Sequence, residues 1–463
     1  MTGRRLLALP RAWCTAACCA LLAAAAAPIA AQNAPGDTPR FDFSGVQRTR
    51  YESIDAQFRP NLSESDRLLA LQTSLLFDVK LPKLEVFGEL LDSRGEWNDA
   101  GSFVSTQIVD ALEPEQLYVA WNLDGTLQAG SKSTLRVGRM TVDLGKRRVL
   151  ARSRYSNAVA GFLGADWDWR GANGSEARAF YFLPMRTLPA DLDGLLDDDY
   201  DLDRGTRGAA LAGFYYQLAP FADKSTFEVY LLDFDVNPPR QTIAATAHLW
   251  TLDARLYRNP EPKHWTYEVE PILQRGESAD VFSGVTRTGL DHRAYYLHLE
   301  AGYAFAAKWA PVLLLQHTFA SGDEDPTDAR IERFNSLFGD RTFEFGPTDI
   351  YGAISRSNVN MLGVRLTLKP RPRWQTMVHY ADVRLAEARD SWVGSGWRDP
   401  TGASGKDIGR QLEARVTWTA IKDRLTLETG FAHFDLGRFP EQTAGASFRG
   451  DPTFFYTALT TTF

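Results

Sequence analysis

From about residue 40 onward the chain alternates, with apolar side chains at every second position over segments of roughly ten residues. Leu69, Leu71, Thr73, Leu75, Phe77 and Val79 share one face of such a segment. Ala70, Gln72, Ser74, Asp78 and Lys80 share the other, with Leu76 the exception. Tyr295, Leu297, Leu299, Ala301 and Tyr303 oppose Tyr296, His298 and Glu300, and Leu412, Ala414, Val416 and Trp418 oppose Gln411, Glu413, Arg415 and Thr417. A period of two marks a strand with one apolar face. Eighteen such segments begin near residues 42, 67, 83, 115, 134, 162, 175, 208, 226, 247, 264, 292, 309, 358, 373, 408, 424 and 453. No segment of comparable length carries a helical period.

The connections alternate too. Short ones rich in Pro, Lys and Asn, such as Lys80-Leu81-Pro82-Lys83, Gly171-Ala172-Asn173-Gly174 and Lys369-Pro370-Arg371-Pro372, are interspersed with long ones near 92–114, 184–207, 275–291, 320–357, 386–407 and 435–452. One rim of tight turns and one of long loops is the signature of an outer-membrane barrel. The expectation is therefore an all-β fold: a transmembrane, antiparallel, up-and-down β-barrel of 18 strands, with short periplasmic turns and long extracellular loops. An even strand number puts both termini on the short-turn rim. A β-propeller would repeat every 40–45 residues or so, and no such repeat is present. The chain closes on an aromatic strand that ends in Phe463, which we read as the address for the barrel-assembly machinery.

Composition fits this picture. Mean hydropathy is −0.28, and no long apolar run follows residue 30. This excludes a helical membrane protein but not a barrel, whose strands are only half apolar. The first 31 residues read as an export signal: Arg4 and Arg5, an Ala- and Leu-rich stretch from Trp13 to Ala27, then Ile29-Ala30-Ala31 before cleavage. Residues 32–40 are then a short periplasmic segment and 41–463 the barrel domain. Cys14, Cys18 and Cys19 all lie in the signal, so the mature chain has no disulfide framework. Loss of Arg4, Arg5 and Arg11 takes the formal charge from −7 to −10. An acidic chain is no nucleic-acid binder. The predicted location is the outer membrane, with its lipid and lipopolysaccharide as partners.

A barrel of this size has a polar, wet lumen unless it is plugged. A lipid-facing Arg or Lys costs about 2–4 kcal/mol at the midplane, so charges on the strands point inward. They include Arg48, Arg50 and Glu52, then Arg178, Arg255, Glu300, Arg365 and Arg415. Two readings of this lining stay open: arginines that attract an anion, or Arg and Glu that neutralise one another across the wall. The stretch 191–203 holds seven Asp. Its Asp191, Asp193, Asp197 and Asp199 suit Ca²⁺, a cation with 6–8 oxygen ligands, although the spacing is not that of an EF-hand and a solvated loop is the plainer reading. No other cofactor or metal is indicated. Neither a nucleophile elbow nor a phosphate loop is present, so no residue is assigned a catalytic role.

Specific residues also resemble a family. Glu115-Gln116-Leu117-Tyr118-Val119 followed by Leu135-Arg136-Val137-Gly138-Arg139-Met140 resembles the first block of the alginate export family of outer-membrane barrels, with Met140 where a Gln is usual. Phe319-Ala320-Ser321-Gly322-Asp323-Glu324-Asp325 and then Arg333-Phe334-Asn335-Ser336-Leu337-Phe338 resembles its second block. Arg48, Arg50 and Glu52 match its opening strand. The resemblance implies an 18-stranded barrel with an electropositive lumen that conducts an anionic polysaccharide. It implies Arg48, Arg50, Arg139 and Arg365 on the pore wall. Alternation groups Arg139 with Leu135 and Val137, so an inward Arg139 requires a bulge. The expected function is passive passage of an anionic polysaccharide or organic anion through a porin-like channel, without catalysis. The alternatives are a barrel-embedded lipid or polymer hydrolase and a plugged structural or adhesive barrel.

Overall fold

The structure, a computed structural model, describes residues 39–206, 208–237, 246–282 and 285–463. The export signal and nearly all of the 32–40 segment lie outside these residues. Among the described residues, eighteen strands form one closed antiparallel wall. They are β1 (Arg40–Asp55), β2 (Asp66–Lys80), β3 (Leu84–Glu96), β4 (Asp110–Asn122), β5 (Lys132–Met140), β6 (Phe162–Arg170), β7 (Glu176–Arg186), β8 (Ala209–Gln217), β9 (Thr226–Val236), β10 (Ala247–Arg258), β11 (His264–Phe282), β12 (Val285–Ala304), β13 (Val312–Ala320), β14 (Val359–Leu368), β15 (Trp374–Arg384), β16 (Asp407–Ile421), β17 (Leu425–Leu436) and β18 (Thr453–Thr462). Each pairs with the next in sequence, and β18 returns to β1 with Thr462 opposite Val46 and Thr453 opposite Asp55. Closure leaves no open edge, so every strand finds partners on both sides.

The alternation locates the strands well, because the lipid face and the lumen face demand opposite chemistry. Only β4 and β12 begin more than three residues from the expected positions, at Asp110 and Val285. The long loop expected at 275–291 is a correction. There β11 and β12 continue as a paired ribbon out to Phe282 opposite Val285. This ribbon extends past the apolar belt, so neither of its faces needs to be apolar and its sequence looks like loop.

Outward side chains make an apolar belt that includes Leu117, Leu163, Phe214, Leu252, Leu315, Leu362 and Leu459, all exposed at the barrel surface. Near the short-turn rim it is edged by aromatics such as Trp121, Trp265, Trp309 and the stacked pair Trp374 and Trp418, 5.4 Å apart. That is the headgroup-level girdle of an outer-membrane barrel.

Inside, the lumen is not open. Residues 141–161, between β5 and β6, and 321–358, between β13 and β14, fold into it and meet. Phe338 donates its N–H to the Val149 carbonyl (2.9 Å), Ala151 to the Phe338 carbonyl (3.0 Å), and Asp340 to the Arg147 carbonyl (2.9 Å). Val142, Leu144, Val149, Leu150 and Phe334 are buried there, and the Phe338 ring packs edge-on against Phe162 at 5.1 Å and Phe234 at 5.5 Å. Each such side chain, withdrawn from water, contributes about 1.5–3 kcal/mol. This apolar content is why the two loops turn inward. Sequence alternation did not mark 141–161 as a long connection at all, since the loop has no strand period.

At the seam between the termini, Gly45 and Phe463 exchange backbone hydrogen bonds of 2.8 and 3.0 Å. A Cβ at Gly45 would stand 2.4 Å from the Phe463 ring. Gly45→Val is therefore expected to strain the closure by about 1–3 kcal/mol. The folded, heat-modifiable band on a gel should convert to the unfolded band at a lower temperature than in wild type; an unchanged conversion temperature contradicts the packing described.

Candidate functional site

The two inward loops cross within the lumen, and the wall grips the crossing through charge. Arg50 on β1 donates to Glu52 at 2.6 Å, to the Tyr155 carbonyl and to the Asp349 carboxylate. Its guanidinium also lies 4.0 Å from the Tyr155 ring centre. One side chain thus pins both loops to the wall. Opposite, Arg148 on the first loop donates to Glu268 (2.5 Å) and Glu270 of β11. Arg356 on the second loop donates to Glu344 (2.6 Å) and to the Arg148 carbonyl (2.7 Å). Glu344 also accepts from Thr318 at 2.9 Å and from Tyr296. Burial works against the Glu344 charge, but Arg356 and Arg148 outweigh it and hold its carboxyl well below the usual carboxylate range. These pairs are dry, so removing one partner of such a pair costs about 3–5 kcal/mol.

The expected lining residues separate into two groups. Four arginines are matched by carboxylates. Arg50 meets Glu52 and Asp349, Arg178 meets Asp166 at 2.6 Å, and Arg255 meets Glu228 at 2.6 Å. Arg139 is held by Glu113, by Glu115 at 3.1 Å and by Asp203 at 2.9 Å. The expected bulge is absent, since β5 pairs with β4 and β6 in unbroken register; the backbone departs from regular strand geometry at Gly138 instead, whose φ is 141°. It ends beneath the loop 187–208 rather than against open lumen. Glu300 accepts a hydrogen bond from Gln316 at 2.6 Å.

The remaining arginines are different. Among the described residues, Arg48, Arg365 and Arg415 form no ion pair with a carboxylate. Arg48 donates instead to the carbonyls of Arg154 (2.9 Å) and Ser156 (2.8 Å), and Arg365 to the Glu344 carbonyl (3.2 Å). Two more of this kind were invisible to the alternation because they sit in loops. Arg59 donates to the carbonyls of Ile350 (2.8 Å) and Tyr351 (2.6 Å). Arg341 lines a cavity of about 240 Å³ on the long-loop side of the crossing, with Ser153, Ser156, Asp340 and Thr348. A Cβ at Gly352 would lie 2.8 Å from Arg341 Nη2 and 3.2 Å from Arg59 Nη2, so the two guanidiniums share one corner. Burial, and then Arg341 beside it, pull Arg59 down to about 9. It therefore stays protonated at neutral pH. Carbonyl hydrogen bonds orient the guanidiniums of Arg48, Arg59 and Arg365 without cancelling their charge.

Beyond the crossing, on the short-turn side, lies a chamber of about 740 Å³ whose lining carries five basic and five acidic side chains. Pairs such as Arg178–Asp166 and Arg170–Glu176, each at 2.6 Å, neutralise its wall. The expected loop cation ligands are not gathered. Asp191, Asp193, Asp197 and Asp199 are exposed, and Asp191 caps the short helix Leu192–Leu196 by accepting the Gly194 N–H at 3.0 Å. The carboxylates that do converge are Asp110, Glu115 and Asp203.

Comparison with known proteins agrees with this architecture. No curated protein matches the chain. Among solved structures it is similar to Acinetobacter baumannii OccAB1, at 12% identity and TM-score 0.59 over 93% of this chain and 98% of that one. It is also similar to Pseudomonas aeruginosa OpdK with vanillate, at 15% identity and TM-score 0.57 over 91% and 98%, and to Pseudomonas aeruginosa OpdQ, at 12% identity and TM-score 0.57 over 91% and 97%. At such identities the likeness is one of fold. The model of the alginate export family matches residues 40–450. The chain therefore belongs to the alginate export family, as an outer-membrane channel protein.

Proposed function

We propose that this channel passes small organic anions, carboxylates foremost, down their gradient and without catalysis. The observation that carries the reading is a set of arginines at the crossing that form no ion pair with a carboxylate among the described residues: Arg341 and Arg59, whose guanidiniums share a corner at Gly352, and Arg48, bonded to the carbonyls of Arg154 and Ser156. An anion that sheds water there meets fixed positive charge, and the paired chamber beyond binds it weakly enough for release. The loops are hydrogen-bonded to each other across the lumen, which favours a small solute. A polysaccharide, which the family name suggests, passes only if the loops part. One of the similar structures was solved with vanillate, a carboxylate of the size in question.

The enzymatic alternative finds little support in the serine–histidine pairing among the described residues. Ser278 Oγ lies 3.0 Å from Nδ1 of His292, and Nε2 of that ring, buried, has no partner among the described residues. A serine hydrolase needs the ring oriented by a third group.

Two outcomes test the proposal. In proteoliposomes, Arg48→Glu with Arg341→Glu is expected to slow swelling driven by benzoate at least tenfold and to leave glucose-driven swelling within twofold of wild type. Equal benzoate rates would remove the arginines from the path. Arg148→Met takes from Glu268 and Glu270 the cation of the inward loop that lies nearest them, leaving only the longer contacts of Lys146 (3.5 Å) and Arg255 (3.7 and 3.8 Å), so the crossing should loosen and single-channel conductance rise several-fold; unchanged conductance means the loops do not set the constriction.

A further inference from the structure

Beneath the loop 187–208 the wall holds more carboxylates than cations. Asp110, Glu113 and Glu115 of β4 and Asp203 of the loop surround one guanidinium, that of Arg139. Their oxygens are not equivalent. Arg139 takes one oxygen each from Glu113, Glu115 and Asp203. The second oxygen of Glu113 accepts the Asp203 N–H at 3.1 Å, and Oδ1 of Asp203 accepts the Leu188 N–H at 3.0 Å. Asp110 is fully buried, yet among the described residues neither of its carboxylate oxygens has a hydrogen-bond partner, nor does the buried Oε1 of Glu115. An unpaired buried carboxylate is among the most expensive groups a protein can hold. One such group, Asp110, beside a second carboxylate with one bare oxygen, Glu115, points to something that belongs between them.

The spacing says what. One oxygen from each of Asp110, Glu115 and Asp203 can be chosen so that all lie within 4.8 Å of one another. Ligands of a single Ca²⁺, each at about 2.4 Å, are at most about 4.8 Å apart. The donors are all carboxylate oxygen, which suits a hard cation and not the N and S ligands typical of Zn²⁺. Four carboxylates and one guanidinium leave a formal charge of −3, which a divalent ion brings to −1. We propose that Asp110, Glu115 and Asp203 bind one Ca²⁺, with Arg139 positioning the latter two from behind. Gly161 closes the remaining side, since a Cβ there would stand 2.8 Å from Glu115 Oε1. The ion ties the acidic loop to β4 at the extracellular mouth. It also steadies the anchor of the inward loop, because Ser93, opposite Asp110 across the ladder, donates to the Asn157 carbonyl at 2.7 Å.

The test is equilibrium dialysis of ⁴⁵Ca²⁺ against chelator-stripped, lipopolysaccharide-free protein in detergent at pH 7.5. Wild type is expected to bind one ion more per chain than Asp110→Asn with Glu115→Gln. Asp191→Asn with Asp193→Asn, which changes exposed acids of the same loop, should keep that ion. Should the double variant fail to show a heat-modifiable barrel, Asp203→Asn replaces it, since it changes a loop residue and should weaken the site at least tenfold. A second readout is proteolysis at Arg186 and Arg204 by trypsin: Ca²⁺ should slow cleavage at least tenfold in wild type and leave the variants unaffected. In chelator the order reverses, because the amides remove repulsion, and the variants resist better than wild type. No saturable ion in wild type, or equal binding by folded variants, overturns the site.

Discussion

What the rest of this structure depends on is the cost of charge inside a dried lumen. Eighteen strands enclose more space than inward side chains can fill. Two loops with apolar cores occupy it, and in doing so strip water from the charged face of the wall. Each ionised group in reach must then be matched or solvated by something fixed. Arg50 with Glu52 and Asp349, and Arg148 with Glu268 and Glu270, are the solutions. They pin the loops where the apolar packing has put them, so charge pairing and loop position support each other.

The same cost gives the exceptions their meaning. Most acidic groups near the crossing are occupied by an arginine, and of the arginines left over Arg48, Arg59 and Arg365 are held by carbonyl oxygens. A carbonyl sets the direction of a guanidinium and leaves its charge available to a solute. The outcome combines the two readings of the lining: a self-neutralised wall in the chamber, and uncancelled cations at the crossing. Beneath the 187–208 loop the imbalance has the opposite sign, with carboxylates that outnumber their cation.

The wall was legible because alternation is enforced twice over, by lipid outside and by polar lumen inside. This holds for β10, where Asp253 and Arg255 oppose Leu252 and Ala254, as it does for the closing strand. It fails where one constraint lapses. Above the membrane, β11 and β12 need no apolar face, so their ribbon reads as loop. Inside the lumen, 141–161 carries no period, although its Val149 and Leu150 are as buried as any core residue. Arg59 and Arg341 went unseen for the same reason: in a loop no parity says which way a side chain points. Arg139 was half legible. Its parity demanded a bulge, and the strand instead turns it inward in unbroken register through the unusual φ of Gly138. Among the loop acids, density proved a poor guide. Asp191, Asp193, Asp197 and Asp199 face solvent, while Asp203 at the end of the run reaches two carboxylates some ninety positions earlier in the chain.

In the proposed function, net positive charge governs the crossing even though the chain as a whole carries a formal charge of −7. The zero-current potential of the wild-type channel in a planar bilayer, under a tenfold KCl gradient, measures this most directly. A potential on the chloride side of zero, shifting toward zero as salt screens the arginines, is what the account predicts. A potential on the potassium side would contradict it.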